Sequence, residues 1–226
     1  MHSFYEDVLG PTFQQLHPKI QQKFSLSSAD NQSIHCKGVM DEMSGATWFM
    51  PAVKKFGLER NLIFPERGEN VPFDLEIYAF KDPKRRETLS WIRIFHFKQT
   101  KRRFDSTMVY SDKYGEIMDY LGNVQATPVG IDLKVTETGG LILSTDKQYV
   151  YVGGKRLSIP SKAVVKGIVH EEYDDTEDHY KVDITVQNAV FGTVFRYKGT
   201  FHMEVRHTTK EQIPDYAYPF KYDEKG

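Results

Sequence analysis

From Trp91 to Gly122 the chain spells three consecutive strands, and both faces of the first are apolar. Residues two apart in a strand share a face, so Trp91, Arg93, Phe95 and Phe97 line up on one side. Ile92, Ile94 and His96 occupy the other. A basic link, Lys98–Arg103, and a turn, Asp112-Lys113-Tyr114-Gly115, lead into Phe104–Tyr110 and Glu116–Gly122. Such a first strand is covered on both sides, or it lines an interior while its back packs on something else.

The rest of the chain repeats the theme. Ser33–Met43, Leu62–Phe64 and Phe73–Phe80 read as strands, and from Leu89 onward strand follows strand. Turns fall at Gly139-Gly140, Gly153-Gly154 and Asp174–Asp178. Period two is cleanest near the end. Tyr180, Val182, Ile184 and Val186 alternate with Lys181, Asp183, Thr185 and Gln187, and Phe195, Tyr197, Phe201 and Met203 oppose Arg196, Lys198, Thr200 and His202. Roughly ten strands are too many for one flat sheet without curling or closing. No alternation with long helices points to a parallel α/β fold. The expected fold is mainly β: a closed or nearly closed antiparallel barrel, lipocalin-like, with short N-terminal helices. An α+β helix-grip is the alternative, weakened by the lack of a long C-terminal helix.

The helices are expected in Phe4–Phe24. Phe4, Val8, Phe13, Leu16, Ile20 and Phe24 recur near helical spacing, and Ser3 with Glu6 forms a capping-box pattern. Gly10-Pro11 divides the segment into two short helices that pack on the domain as a lid or plug. Trp48–Phe56 reads as a further short helix closed by Gly57. We expect one domain over residues 1–226, with 1–25 as the helical segment and 212–226 as an extended tail laid over it.

With 226 residues, 39% hydrophobic and 13% aromatic, the chain can build a substantial core. A formal net charge of -1 argues against a general nucleic-acid binder. The single cysteine, Cys36, excludes an internal disulfide, and the start of the chain lacks a secretory pattern. No apolar run approaches the roughly 18 residues of a spanning helix. A cytoplasmic protein, not an integral membrane protein, is the expectation.

Arg93 is the sharpest candidate for chemistry. If its face lines a lumen, a buried guanidinium must be paired or must await an anion, with the aromatics around an apolar tail. Buried polar groups are normally satisfied within the fold, so an internal pair with a glutamate such as Glu76 or Glu171 is the default. Glu171 and Glu172 point opposite ways on a strand, so one at most faces inward. A solvated hairpin end running into Asp174-Asp175-Thr176-Glu177-Asp178 is the plainer reading of both. The eight histidines show no metal-ligand spacing, and His96 reads as a hydrogen-bonded core residue. Cys36 reads as a small buried hydrophobe. The basic link reads as a solvated hairpin tip balanced by the acidic loop. No nucleophile–base pair, phosphate-binding loop or dinucleotide fingerprint is present, so no cofactor is expected and an enzyme is the least favoured class.

Several stretches together resemble an uncharacterised bacterial family known only as domain of unknown function 4166. They are Ser3-Phe4-Tyr5 through Leu9-Gly10, Trp91-x-Arg93-x-Phe95, Phe104-Asp105-Ser106 with Gly115 and Gly122, Gly154–Pro160, and Tyr180–Asp183 leading to Gly192 and Tyr197-x-Gly199. The resemblance implies stand-alone proteins, or domains fused to saccharopine-dehydrogenase-like reductases, and no assigned activity. It also implies an acidic residue before the closing glycine of the third strand, where this chain has Met118. Two functions follow as expectations. One is a non-enzymatic barrel holding a small amphipathic or anionic apolar ligand, with Trp91, Arg93, Phe95, Phe97, Glu171 and Tyr197 as its contacts. The other is an accessory domain with a packed core, acting beside a reductase or membrane partner.

Overall fold

The computed structural model describes residues 3–46, 57–125, 128–152, 155–159, 164–190 and 192–222. Two short helices, α1 (Phe4–Leu9) and α2 (Pro18–Phe24), flank a 3-10 turn, Gly10–Gln15. Then come β1 (Gln32–Ser44), β2 (Gly68–Lys81), β3 (Glu87–Phe97), β4 (Thr100–Ser111), β5 (Glu116–Leu121) and β6 (Pro128–Val135). They are followed by β7 (Leu141–Val152), β8 (Lys155–Ser158), β9 (Val165–Asp174), β10 (His179–Asn188) and β11 (Gly192–His207).

Each of these strands pairs antiparallel with the next in order, except that β8 folds back on β7 alone and β9 pairs with β7. β1 pairs with β11 and β6 with β7, so ten strands close into a barrel. That is the closed antiparallel barrel the alternation predicts, and it excludes the helix-grip. Period two sorts the strands as read: Trp91, Arg93 and Phe95 point inward, as do Ile184 and Tyr197, which are paired across β10 and β11.

Closure needs close backbone approach between β1 and β11. A Cβ on Gly199 would lie 2.1 Å from the Val39 carbonyl oxygen, and one on Gly38 2.0 Å from that of Thr200. The register shifts between Met40 and Glu42 in the same stretch, a bulge that bends the pair.

One end of the barrel is plugged. Ser3 caps α1 through the expected box with Glu6. Phe4, Tyr5, Phe13, Leu16, Ile20 and Phe24 are all buried, each contributing about 1.5–3 kcal/mol of apolar burial. Gly10-Pro11 opens the 3-10 turn instead of merely separating two helices.

The outer face of β3 is covered too. Ile213 and Ala217 of the C-terminal tail pack with Tyr78, Phe80 and Ile92, and Tyr218 sits 4.7 Å from Phe80, ring to ring. The tail therefore supplies the second cover that a strand apolar on both faces requires. His96 lies on this outer wall, half-buried, with Nε2 2.6 Å from Asp74. It is hydrogen-bonded but not part of the core, because its face of β3 leaves the tail's cover near the strand end.

Leu62–Phe64 is irregular rather than a strand. Phe64 is nonetheless buried, its ring centroid 5.3 Å from both Phe95 and Phe195. Packing there comes from one aromatic wedge, which period-two reading cannot distinguish from a short strand. The expected helix Trp48–Phe56 and the turn Gly153-Gly154 lie outside the described residues.

Candidate functional site: the barrel lumen

Inside the barrel, beyond the plug, lies a cavity of about 410 Å³. Most of its wall is apolar, from Trp91, Phe104, Leu143, Ile184 and Phe195 among others. Against that wall stand Arg93 from β3, Asp119 from β5 and Tyr197 from β11. All three are buried: Arg93 is 8% exposed, Asp119 5% and Tyr197 1%.

Strand register explains how they meet. Trp91 lies opposite Ser106 on β4, and Ser106 opposite Leu121 on β5, so Asp119 shares the inward face with Leu121. Arg93 is seated by aromatics, its guanidinium carbon 5.4 Å from the Trp91 ring centre and 5.3 Å from that of Phe104. Among the described residues no ion pair or hydrogen bond joins Arg93 to a carboxylate. Its Nη1, Oδ1 of Asp119, the Tyr197 hydroxyl and Nε1 of Trp91 are enclosed without a hydrogen-bond partner. Burial pushes the Asp119 carboxyl up to about 7, overriding the attraction of Arg93 and hydrogen bonds from Ser106 and the Tyr120 backbone. Burial likewise raises the Tyr197 phenol, against the same cation. This density of unsatisfied polar atoms is unusual for a protein interior, where buried polar groups normally find partners.

Neither glutamate expected to neutralise Arg93 does so. Glu76 is on the outer wall, accepting hydrogen bonds from Tyr78 and Tyr216. Glu171 does turn inward and is buried at 2% exposure, so it is not part of a solvated hairpin end. Its partner is Lys23 of the plug, with Nζ 2.6 Å from both carboxylate oxygens. The Lys23 ammonium also lies 4.7 Å from the ring centres of Trp91 and Phe201. Glu172 points outward to Thr138 and His170, as strand alternation requires.

Of the remaining predicted contacts, Trp91 and Tyr197 line the cavity. Phe95 is fully buried behind it, stacked toward Phe73 and edge-on to Tyr197, and Phe97 packs on Phe64 nearer the open end. Asp119 is the residue that sequence reading missed. The acidic residue expected at Met118 is present one position later, while Met118 itself faces outward among Val109, Tyr120 and Tyr149.

Other groups are quiet. Cys36 is buried, and burial pushes its thiol up to about 12. Both arginines of the basic link are paired locally, Arg102 with Glu66 and Arg103 with Asp105. The acidic loop is at the opposite, plugged end, where Asp175 meets His17. Among the described residues no group of three or more His, Cys, Asp or Glu gathers to hold a metal. No helix among them is long and apolar enough to cross a membrane.

The side chains of Gln148 and Thr145 complete the wall between β7 and β9. Gln148 exchanges two 3.1 Å hydrogen bonds with the Val165 backbone, and the Gly167 N–H donates to Thr145 Oγ1 at 2.9 Å.

The fold and site thus define a class: a plugged, ten-stranded antiparallel barrel with an apolar lumen carrying buried, unsatisfied polar groups. The chain belongs to the family described as Domain of unknown function (DUF4166), which matches residues 16–201. Arg93, Asp119 and Tyr197 all fall within that span. The chain is also similar to "Uncharacterized protein YndH" of Bacillus subtilis (strain 168), at 30% identity over 208 residues, covering 92% of this chain and 100% of that protein. No solved structure matches.

Proposed function

We propose that the barrel binds a small amphipathic molecule in its lumen, without chemistry on it. The observation that carries this reading is a 410 Å³ cavity with a largely apolar wall that the buried Arg93 lines, its Nη1 enclosed without a partner. The volume lies in the range of small-molecule sites, roughly 300–1,000 Å³. Arg93 meets the head of the ligand, and Trp91, Phe104 and Tyr197 meet its body. Phe95 and Phe97 support that wall from behind, and Glu171 acts through Lys23 to keep the plug seated.

Native mass spectrometry of freshly purified protein, followed by organic extraction, tests the reading. Wild-type protein is expected to release a small molecule on denaturation. Arg93→Met protein, checked for folding by circular dichroism, is expected to release at least tenfold less. Equal release from the variant would remove Arg93 as the anchor. A clean unliganded mass, with no heat on titrating octanoate, octylamine, 2-aminooctanoate or 8-aminooctanoate, would overturn lumen binding itself.

A further inference from the structure

Two opposite buried charges, Arg93 and Asp119, open on one cavity and do not meet; the exposed Arg60 also lines it. Arg93 lies opposite Phe104 on β4, whereas Asp119 lies opposite Met108 on the same strand. Those two β4 positions are four residues apart, roughly 13 Å of strand. The Trp91–Ser106 pair lies between the two levels. The Arg93 guanidinium rests on Trp91 and Phe104, near enough to act on Asp119 through its charge but in no ion pair with it. Nη1 of Arg93 and Oδ1 of Asp119 are therefore left enclosed, one offering a hydrogen bond and the other able to accept one.

A ligand with a single anionic head satisfies only half of this. It would pair with Arg93 and leave Asp119 either as a like charge nearby or as an acid whose Oδ1 has no partner, both costly beside a largely apolar wall. A purely cationic head has the converse fault.

We infer that the lumen ligand is bifunctional: an anionic or hydrogen-bond-accepting group for Arg93 and an amine or hydroxyl donor for Asp119, carried on one apolar body. This rests on the lumen-binding reading above and specifies its ligand class. The elevated titration of Asp119 is consistent with it, since Arg93 by itself does not hold that carboxyl ionised. The Tyr197 hydroxyl, also unpartnered, supplies a third polar contact on the β11 side.

Calorimetric titration of the full chain with octanoate, octylamine, 2-aminooctanoate and 8-aminooctanoate tests it. At least one amino acid of the set is expected to bind tenfold or more tightly than both octanoate and octylamine. Which one does so measures the span between the two anchors. Asp119→Asn is expected to erase that preference, bringing the favoured amino acid down to the affinity of octanoate. If octanoate binds wild-type protein as tightly as both amino acids, or octylamine binds tightest, the bifunctional ligand is refuted while lumen binding stands. No binding by any of the four, in protein of clean unliganded mass, removes both. The wild-type series decides the matter even if the Asp119 variant folds poorly.

Discussion

Replacing Asp119 with asparagine should change how the stability of the protein depends on pH, by an amount the structure sets. The carboxyl titrates at about 7 in the folded chain, against an ordinary 3.8. The folded state therefore holds a proton that the unfolded state has lost across that whole window. Stability is fully present below the ordinary value, falls as pH rises, and is fully lost above about 7. About three pH units at 1.36 kcal/mol each give on the order of 4 kcal/mol in all. Between pH 5 and pH 8 the loss is about 2.6 kcal/mol, because part of it has occurred by pH 5. The groups facing Asp119 are Arg93 from β3, Ser106 from β4, the Tyr120 backbone and Tyr5 from α1, whose own phenol is raised chiefly by burial and then by Asp119. The asparagine side chain keeps the shape and carries no titrating proton, so the difference between variant and wild type isolates this carboxyl from every histidine in the chain. Urea unfolding of both proteins at pH 5, 6, 7 and 8 is the assay. The variant should gain on wild type by about 2.6 kcal/mol from the first pH to the last, most of it below pH 7. Parallel curves would refute the reasoning, because they would mean the carboxyl is already ionised in the folded lumen.

Two further expectations concern the frame. Lys23→Met leaves the Glu171 carboxylate buried without its cation and should cost about 3–5 kcal/mol, whereas Lys23→Met with Glu171→Leu should recover most of that loss; denaturant midpoints for the three proteins decide it. Gly199→Ala puts a methyl 2.1 Å from the Val39 carbonyl, so the β1–β11 seam must shift, at about 1–3 kcal/mol. A variant as stable as wild type by thermal unfolding would show that the seam relaxes freely.

Much of the barrel was legible because its strands alternate where one face is wet. β10 and β11 alternate as read, and the doubly apolar β3 required cover on both faces or a lumen on one and cover on the other, of which the barrel shows the second. Legibility failed where alternation carries no contrast. In β5, Ile117-Met118-Asp119-Tyr120-Leu121 is apolar on both faces, so nothing local says that Asp119 points in. Only the register passed from Trp91 through Ser106 to Leu121 does so. Lys23 failed for a different reason. A lysine on a short helix reads as solvated, and its burial depends on Glu171, which lies 148 residues away in sequence. Pairings of that kind come from closure of the fold and leave no periodic trace.

The polar atoms in the lumen bear on whether this barrel is a container or a packed scaffold. Eight strands already enclose about as much space as inward side chains fill, so ten leave a surplus. The plug takes up one end of it with Tyr5, Phe13, Ile20 and Phe24. A scaffold shaped by packing alone would fill the remainder with leucine and phenylalanine. Here the remaining 410 Å³ is bordered by Arg93, Asp119 and Tyr197, each with an enclosed atom lacking a partner. Each such atom costs about 1–3 kcal/mol of desolvation, and more where it is charged. Apolar residues of similar volume would remove that cost, as they do for Lys23 and Glu171 in principle. The difference is that Lys23 and Glu171 satisfy each other, whereas Arg93 and Asp119 do not. Arg93 has only the rings of Trp91 and Phe104, and Asp119 only Ser106 and the Tyr120 backbone, so neither charge is neutralised by a partner; where local stability is given up in this way, a functional site is the physical expectation. That asymmetry between two buried charge pairs, one closed and one open, favours the container.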